Sequence, residues 1–277
     1  MAILLDGKKL AEKITTELKT TITEHGKKLS LAVIRVGSDP VIAKFVEQKK
    51  RLAGNLGVDF RIYNYEASIS TNELRKRISV IVHEADPDGV IIQLPLPAPV
   101  NTQYILNSIP PEKDVDVLSA RSLGNFSTGK TEIFPPVVAA IKVLFEEYGI
   151  DYRTKHAVVV GAGMLVGKPV AAWLLNEKVP FSIVDEHTPD ISVFTKQADI
   201  IVSGVGKPGL ITGDIVKEGV VVIDAGTSES NGKLAGDADF ESVSKKASYI
   251  TSVPGGVGPL TVVMIYKNLL AFAEKRR

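Results

Sequence analysis

The 277-residue sequence contains no cysteine, and this absence excludes several kinds of chemistry at once. Disulfides, thiolate metal sites and cysteine nucleophiles all need that side chain. Histidine is also scarce, and its four copies are scattered along the chain: His25, His83, His156 and His187. Because metal sites need several ligands close together, we expect no zinc and no other metal.

Net charge and long apolar runs are lacking as well. The formal net charge is only +1, so no nucleic-acid partner and no membrane surface are expected. No apolar stretch approaches the length of a membrane span, and the brief apolar run before Lys8 and Lys9 does not form a signal peptide. Together with the missing cysteine, these features predict a cytoplasmic protein. The hydrophobic content of 44% and the length suit a full core and two modest domains.

Strand and helix patterns alternate in two series, which predicts an α/β protein with parallel sheets. The first series has helices near 8–28, 40–56 and 70–84, and strands near 31–36, 58–65 and 88–93. The second has strands near 157–161, 181–185, 199–203 and 220–224, and a long final helix is predicted at 260–277. Between the series, residues 110–136 are interpreted as a connector with functional contacts.

A glycine turn begins the second series. The β-branched run 157–160 indicates a buried strand, and Gly161 and Gly163 allow a sharp turn with close approach to a ligand. A helix predicted from about Leu165 to Asn176 would direct its N-terminus at this gap, as for a pyrophosphate. With Gly167, the three glycines have the spacing G-x-G-x-x-x-G, which is one residue longer than the usual dinucleotide-binding fingerprint. The alternative is an ordinary strand-to-helix turn.

Ligands of open parallel sheets bind beyond the carboxyl ends of the strands. Asp185 closes the second strand of the glycine-turn unit, where a carboxylate would accept hydrogen bonds from ribose hydroxyls and repel a 2′-phosphate. The alternative for Asp185 is a cap for the next helix. The same rule singles out Gln93 and the segments 204–206, 226–227 and 252–258.

Lys49 shares a predicted helix face with the aromatic Phe45, four residues earlier. Lys44, Lys50 and Arg51 lie nearby. By composition alone, a solvated basic stripe is the favoured interpretation of this cluster.

Several motifs in order resemble the methylenetetrahydrofolate dehydrogenase/cyclohydrolase family over nearly the whole chain. They are Val36-Gly-Ser-Asp-Pro40 with Phe45-Val-Glu-Gln-Lys49, Gly89-Val-Ile-Ile-Gln-Leu-Pro-Leu-Pro97, Lys113-Asp-Val-Asp116, Val159-Val-Gly-Ala-Gly-Met-Leu-Val-Gly-Lys-Pro169, Ile223-Asp-Ala-Gly226, Gly236-Asp-Ala-Asp-Phe240 and Thr251-Ser-Val-Pro-Gly-Gly-Val-Gly-Pro-Leu-Thr261. The last is similar to the family's most specific signature.

The resemblance implies a homodimer of two-domain subunits. A folate domain would comprise residues 1–134 with 259–277, and a Rossmann-like NAD(P)-binding domain residues 135–258. Members of the family serve one-carbon metabolism, including purine biosynthesis. They oxidise 5,10-methylenetetrahydrofolate with NAD(P)+ to the methenyl cation, and they hydrolyse that cation to 10-formyltetrahydrofolate.

The resemblance also implies site residues. Lys49 takes the place of the catalytic lysine, Gln93 that of its partner glutamine, and Asp116 that of the carboxylate holding the pterin. The implied substrate-binding residues are Phe45, Pro254, Gly255 and Gly256. The implied cofactor-binding residues are Gly161, Ala162, Gly163, Gly167, Asp185, Gly206 and Thr227.

The sequence departs from the family pattern at informative positions. The active-site tyrosine is Phe45, so its hydroxyl is missing. The glycine after KDVD is Val117, and an Arg-Ser pair in the glycine turn is Ala162-Gly163. With Asp185, the missing arginine favours NAD over NADP. Three hypotheses therefore stay open: a bifunctional enzyme, a dehydrogenase without hydrolysis, or a non-catalytic folate- or nucleotide-binding paralogue.

Overall fold

The computed structural model describes residues 2–230 and 233–276. The strands are β1 (Ile3–Leu5), β2 (Ser30–Val36), β3 (Asp59–Tyr65), β4 (Gly89–Ile92), β5 (Ala157–Val160), β6 (Phe181–Val184), β7 (Ile200–Ser203), β8 (Val221–Asp224), β9 (Ser228–Ser230), β10 (Lys233–Ala235) and β11 (Tyr249–Thr251). The helices are α1 (Gly7–His25), α2 (Pro40–Leu56), α3 (Thr71–His83), α4 (Thr102–Leu106), α5 (Ala120–Ser127), α6 (Pro136–Glu147), α7 (Gly167–Asn176), α8 (Ser192–Thr195), α9 (Phe240–Val243) and α10 (Val257–Lys275).

By their contacts, the residues form two compact units. One unit, called here the six-stranded unit, comprises the residues through Glu12, Phe126–Lys130 and Val137–Thr261. The other, the three-stranded unit, comprises Lys13–Asn125, Thr131–Pro136 and the residues from Val262 onward. The division differs from the predicted 1–134 boundary at the N-terminus, because β1 pairs with β11.

The six-stranded unit has one parallel sheet in the order β1-β11-β8-β7-β5-β6. Strands β5, β7 and β8 are buried along their whole length, as expected for a sheet covered on both faces. An antiparallel pair of short strands, β9 and β10, is separate from this sheet. All four strands predicted for the second series are present.

The three-stranded unit has a parallel sheet in the order β3-β2-β4. Its helix α2 begins where predicted, because the Asp39 carboxylate accepts hydrogen bonds from the amides of Val41 at 2.7 Å and Ile42 at 3.0 Å. It ends at Gly57, which has a left-handed φ of 73°. The alternating first series is thus confirmed as parallel strands linked by helices.

Several elements differ from the prediction. Strands β1 and β11 were not predicted, because three residues are too few to show a period. The supposed connector 110–136 contains α5, and α6 follows it unpredicted. Helix α7 begins at Gly167 rather than near Leu165, since the chain from Gly161 onward remains an irregular loop.

Helix α10 differs from the predicted final helix in its bounds and in its apolar character. It spans Val257–Lys275 rather than 260–277, and Arg277 lies outside the described residues. By length and composition alone it could cross a membrane, contrary to the expectation that no stretch would. However, 56% of its apolar window is buried within the fold, as in a core helix.

Candidate active site

Lys49 and Gln93 meet in the three-stranded unit. Lys49 lies on α2, Gln93 directly follows β4, and the lysine Nζ donates a hydrogen bond to the glutamine Oε1 at 2.7 Å. The glutamine Nε2 donates to the carbonyl of Leu94 at 3.1 Å. Because this second bond occupies the amide nitrogen, it orients Oε1 toward the lysine. The structure therefore brings together the first two predicted catalytic residues.

Lys49 differs from the other cations of α2. Its side chain is half-buried, as is Phe45 one turn earlier, whereas Lys44, Lys50 and Arg51 are exposed. The solvated basic stripe thus describes those three residues but not Lys49. Phe45 offers an aromatic surface without a hydroxyl.

Asp116 shares the environment of Lys49. Burial lowers the pKa of the Lys49 ammonium, although the negative charge of Asp116 opposes this shift. Burial also raises the pKa of Asp116 to about 6, where the charge of Lys49 acts against the shift and that of Asp114 adds to it. Burial thus shifts both groups toward their neutral forms, which suits proton transfer.

The segment Lys113–Val117 places Asp116 through contacts that the sequence did not reveal. Lys113 is buried, donates to the carbonyl of Val82 at 3.0 Å and forms a short ion pair with Asp86. The Asp114 carboxylate accepts hydrogen bonds from the amides of Leu118 and Ser119. Lys113 and Asp114 are therefore structural members of the motif, and Asp116 is the member that interacts with Lys49.

Val117 completes this segment in an unusual conformation. It has a φ of 57°, in the left-handed region where the resembled family pattern has glycine. A β-branched residue is an outlier there and is held by its surroundings. Its side chain is buried, so the packing around it holds this backbone conformation.

Two residues of α10 also contact this site and were missed in the sequence. The Asn268 amide donates to the carbonyls of Val115 and Phe134, both at 2.9 Å. The Tyr266 hydroxyl donates to the backbone carbonyl of Lys49. Neither residue belongs to a recognisable motif, so no sequence signal pointed to them.

In the six-stranded unit, the glycine turn after β5 requires glycine at two positions. Gly161 has a φ of 98°, and a Cβ on Gly167 would lie 1.8 Å from the carbonyl oxygen of Gly161. The N-terminal end of α7 has no side-chain cap. Ala162 and Gly163 lie in this turn, at the carboxyl end of β5. The close backbone approach and the uncapped helix end fit a pyrophosphate of a dinucleotide.

A buried carboxylate organises the neighbouring loop, which contains Gly206. Asp237 accepts hydrogen bonds from the Ser203 hydroxyl at 2.6 Å and from the amides of Val205, Gly206 and Lys207 at 2.7–2.8 Å. A Cβ on Gly206 would lie 3.5 Å from the carbonyl of Thr227, so these two predicted residues are near each other. The sequence pattern included Asp237 but did not indicate this role.

Asp185 directly follows β6. Its Oδ1 accepts a hydrogen bond from the His187 amide at 3.0 Å, and its own amide donates to the Thr188 hydroxyl at 3.1 Å. These bonds form a local turn rather than a cap, because the next helix, α8, begins only at Ser192. The helix-cap alternative is therefore wrong.

The predicted residues Pro254, Gly255 and Gly256 form a tight turn in the six-stranded unit. Gly255 has a φ of 111°, and its carbonyl accepts a hydrogen bond from the Lys8 amide at 2.8 Å. A Cβ on Gly256 would lie 2.7 Å from the Ser252 carbonyl oxygen. Both glycines are therefore required by the backbone itself.

Comparisons with known proteins agree with this arrangement. Residues 5–116 match the catalytic-domain model of tetrahydrofolate dehydrogenase/cyclohydrolase, and residues 135–277 match its NAD(P)-binding-domain model. A relative from a Nitratiruptor species, named bifunctional protein FolD, is 44% identical, with 99% of each chain covered.

Solved structures are also similar over the whole chain. The bifunctional FolD enzyme of Campylobacter jejuni is 39% identical, with a TM-score of 0.95 and 100% of both chains covered. The Trypanosoma brucei enzyme, solved with NADP and an inhibitor, is 32% identical, with a TM-score of 0.94, covering 99% of this chain and 98% of that one.

Proposed function

The chain belongs to the tetrahydrofolate dehydrogenase/cyclohydrolase family, and from this premise we propose how its residues divide the two reactions. The enzyme oxidises 5,10-methylenetetrahydrofolate to the methenyl cation with NAD(P)+ and hydrolyses the cation to 10-formyltetrahydrofolate. The 2.7 Å hydrogen bond between Lys49 and Gln93 is the observation that carries the assignment of residues.

Lys49 is the proposed base. Hydride loss places positive charge on the folate. The lowered pKa of Lys49 favours its neutral form, which does not repel that charge. The neutral amine can accept a proton from the attacking water. Gln93 holds the amine in place through Oε1, while its own orientation is set by the Leu94 carbonyl.

Asp116 is the proposed anchor for the pterin. Its oxygens can accept hydrogen bonds from the donor edge of an aminopyrimidinone ring, and ionisation strengthens them. Phe45 offers its ring for stacking. Pro254, Gly255 and Gly256 are proposed to contribute to substrate binding.

The six-stranded unit supplies the proposed dinucleotide site. The dinucleotide, when bound, accepts the hydride from the folate. Gly161, Ala162, Gly163, Gly167, Gly206 and Thr227 would line its phosphates and nicotinamide end. We propose the domain assignment 135–258 for cofactor binding and 1–134 with 259–277 for folate. The family-model match over 5–116 supports the folate assignment of that range, and the grouping of the residues from Val262 onward with the three-stranded unit supports that of the C-terminal helix.

NAD is the proposed preferred cofactor. Ala162 offers no positive charge to a 2′-phosphate, and the Asp185 carboxylate would repel one. The kcat/KM ratio for NAD+ over NADP+ should fall in Asp185→Ser and stay unchanged in Asp190→Ser, since Asp190 lies outside the proposed site. An equal effect of both substitutions would contradict the role of Asp185.

The reaction assignment is tested by following reduced cofactor and methenyl cation separately, with methylenetetrahydrofolate and either cofactor. Both activities should produce reduced cofactor without accumulation of cation. Lys49→Met should lose most turnover, whereas Lys50→Met, at an exposed position of the same helix, should retain it. Accumulation of cation in the unmodified enzyme would instead support a dehydrogenase without hydrolysis.

We further propose that the protein is cytoplasmic, as its composition predicts, and that it is a homodimer, as the family resemblance implies. Light scattering in solution should give twice the mass of one chain, and a monomer mass would contradict this part of the proposal.

A further inference from the structure

The Tyr266 hydroxyl bridges two backbone groups of α2. It donates a hydrogen bond to the carbonyl of Lys49, 217 residues away in sequence, and its oxygen accepts one from the amide of Ala53. The tyrosine side chain is fully buried. Burial raises its pKa well above the usual value, so the hydroxyl stays protonated and remains a donor.

The two bridged groups are those that an α-helix ordinarily joins directly. A carbonyl at one position pairs with the amide four residues later, here Lys49 with Ala53. A side chain inserted into this ladder changes the local direction of a helix. The turn of α2 that carries Lys49 is therefore held at both of these backbone groups by a residue of α10.

We propose that Tyr266 is a positioning residue, which sets the backbone of α2 so that the Lys49 amine reaches Gln93. The proposal rests on the proposed function of Lys49. It does not make Tyr266 a substitute for the hydroxyl missing at Phe45, because Tyr266 contacts the backbone carbonyl and not the amine. It assigns control of the reactive amine to a helix far away in sequence.

The Lys49 amine is sensitive to the position of the α2 backbone because it forms a short hydrogen bond with Gln93. At 2.7 Å, the bond from Lys49 to Gln93 is at the short end of the hydrogen-bond range, and a shift of the amine by about 1 Å would break it. Displacement of a catalytic group by about 1 Å can reduce a rate by roughly a hundredfold. If the hydroxyl were removed, both backbone groups would lose this partner, and the turn that carries Lys49 could shift.

Tyr266→Phe removes the hydroxyl and keeps the ring, and Tyr152→Phe is the matched control. Tyr152 is 7% exposed, and its hydroxyl donates to Glu177 at 3.3 Å in the six-stranded unit, so the control also loses a buried-ring hydroxyl with a partner. We expect kcat to fall roughly tenfold or more in Tyr266→Phe, with the KM for the dinucleotide unchanged. Tyr152→Phe should keep its kcat.

A second measurement reads the amine without turnover. Trace acylation with acetic anhydride across a pH series, followed by mass spectrometry, gives a midpoint for each lysine. The Lys49 midpoint should lie below the ordinary lysine value, and Tyr266→Phe should move it upward. Asp116 is the charged group that interacts with this amine, and neither variant alters it.

Two results would overturn the proposal. An unchanged Lys49 midpoint with a kcat equal to that of Tyr152→Phe would leave Tyr266 a purely structural residue. A wild-type protein without turnover would refute the proposed function of the site. In that case the acylation midpoints alone still decide whether Tyr266 positions the amine.

Discussion

Replacing Asp116 with asparagine should stabilise the fold at neutral pH while it impairs the reaction. Burial raises the pKa of this carboxyl to about 6 from an ordinary 3.8, so the folded state disfavours the ionised form. Between these values the folded protein holds a proton that the unfolded chain has released. The stability contributed by this group therefore falls as pH rises through this window, and the full penalty remains above it.

The size of the effect follows from the shift. Two pKa units correspond to about 3 kcal/mol at most. The side chain is only half-buried, so solvent screening reduces the penalty. Without Asp116, the Lys49 ammonium also loses the attraction of that negative charge. The pKa of Lys49 then falls further, and this offsets part of the gain in unfolding free energy. We expect Asp116→Asn to gain about 1–2 kcal/mol of unfolding free energy above about pH 7.

Urea unfolding followed by circular dichroism, at a series of pH values from about 4 to 8, measures this difference. The variant should match the unmodified protein near pH 4 and become more stable as pH rises. Asp190→Asn is the control with opposite sign, because hydrogen bonds from Ser192 lower the pKa of that exposed carboxyl. A difference at Asp116 that does not grow with pH would refute the reasoning.

Three further predictions concern single groups. The KM for folate should rise as pH falls below about 6, because protonated Asp116 accepts hydrogen bonds less well, and an unchanged KM would contradict its role as anchor. Phe45→Tyr should speed hydrolysis of the methenyl cation roughly tenfold, which is the effect expected of one added hydrogen bond near Lys49. The decay rate of the cation measures this, and an unchanged rate would show that the hydroxyl is not needed. Asp237→Asn should lose about 3 kcal/mol of unfolding free energy and raise the dinucleotide KM, because an amide cannot replace both carboxylate oxygens that accept the four hydrogen bonds. Thermal unfolding and steady-state kinetics measure the two effects, and unaltered values would show that Asp237 does not hold the loop.

Local signals in the sequence determined much of the fold. The cap at Asp39 and the left-handed Gly57 define α2 through contacts within a few residues, so the helix was predictable. The buried β-branched strands were visible for the same reason. Strands β1 and β11 were not, because three-residue strands exist only through pairing with partners distant in sequence.

The site divides in the same way. The motifs containing Lys49, Gln93 and Asp116 were readable from residue types and order, and the resemblance linked them before any contact was known. The motif that includes Asp116 gave no sign that Lys113 and Asp114 hold it in place.

By itself, the sequence determined which chemical groups the protein has: a lysine, an amide and a carboxylate in recognisable motifs, and no thiol. Only the tertiary structure decided that Lys49 is half-buried while Lys50 is exposed, and that Tyr266 joins the backbone at Lys49. The pKa of an amine depends on the solvent and charges around it, and those are assembled by packing between distant segments rather than by neighbours along the chain.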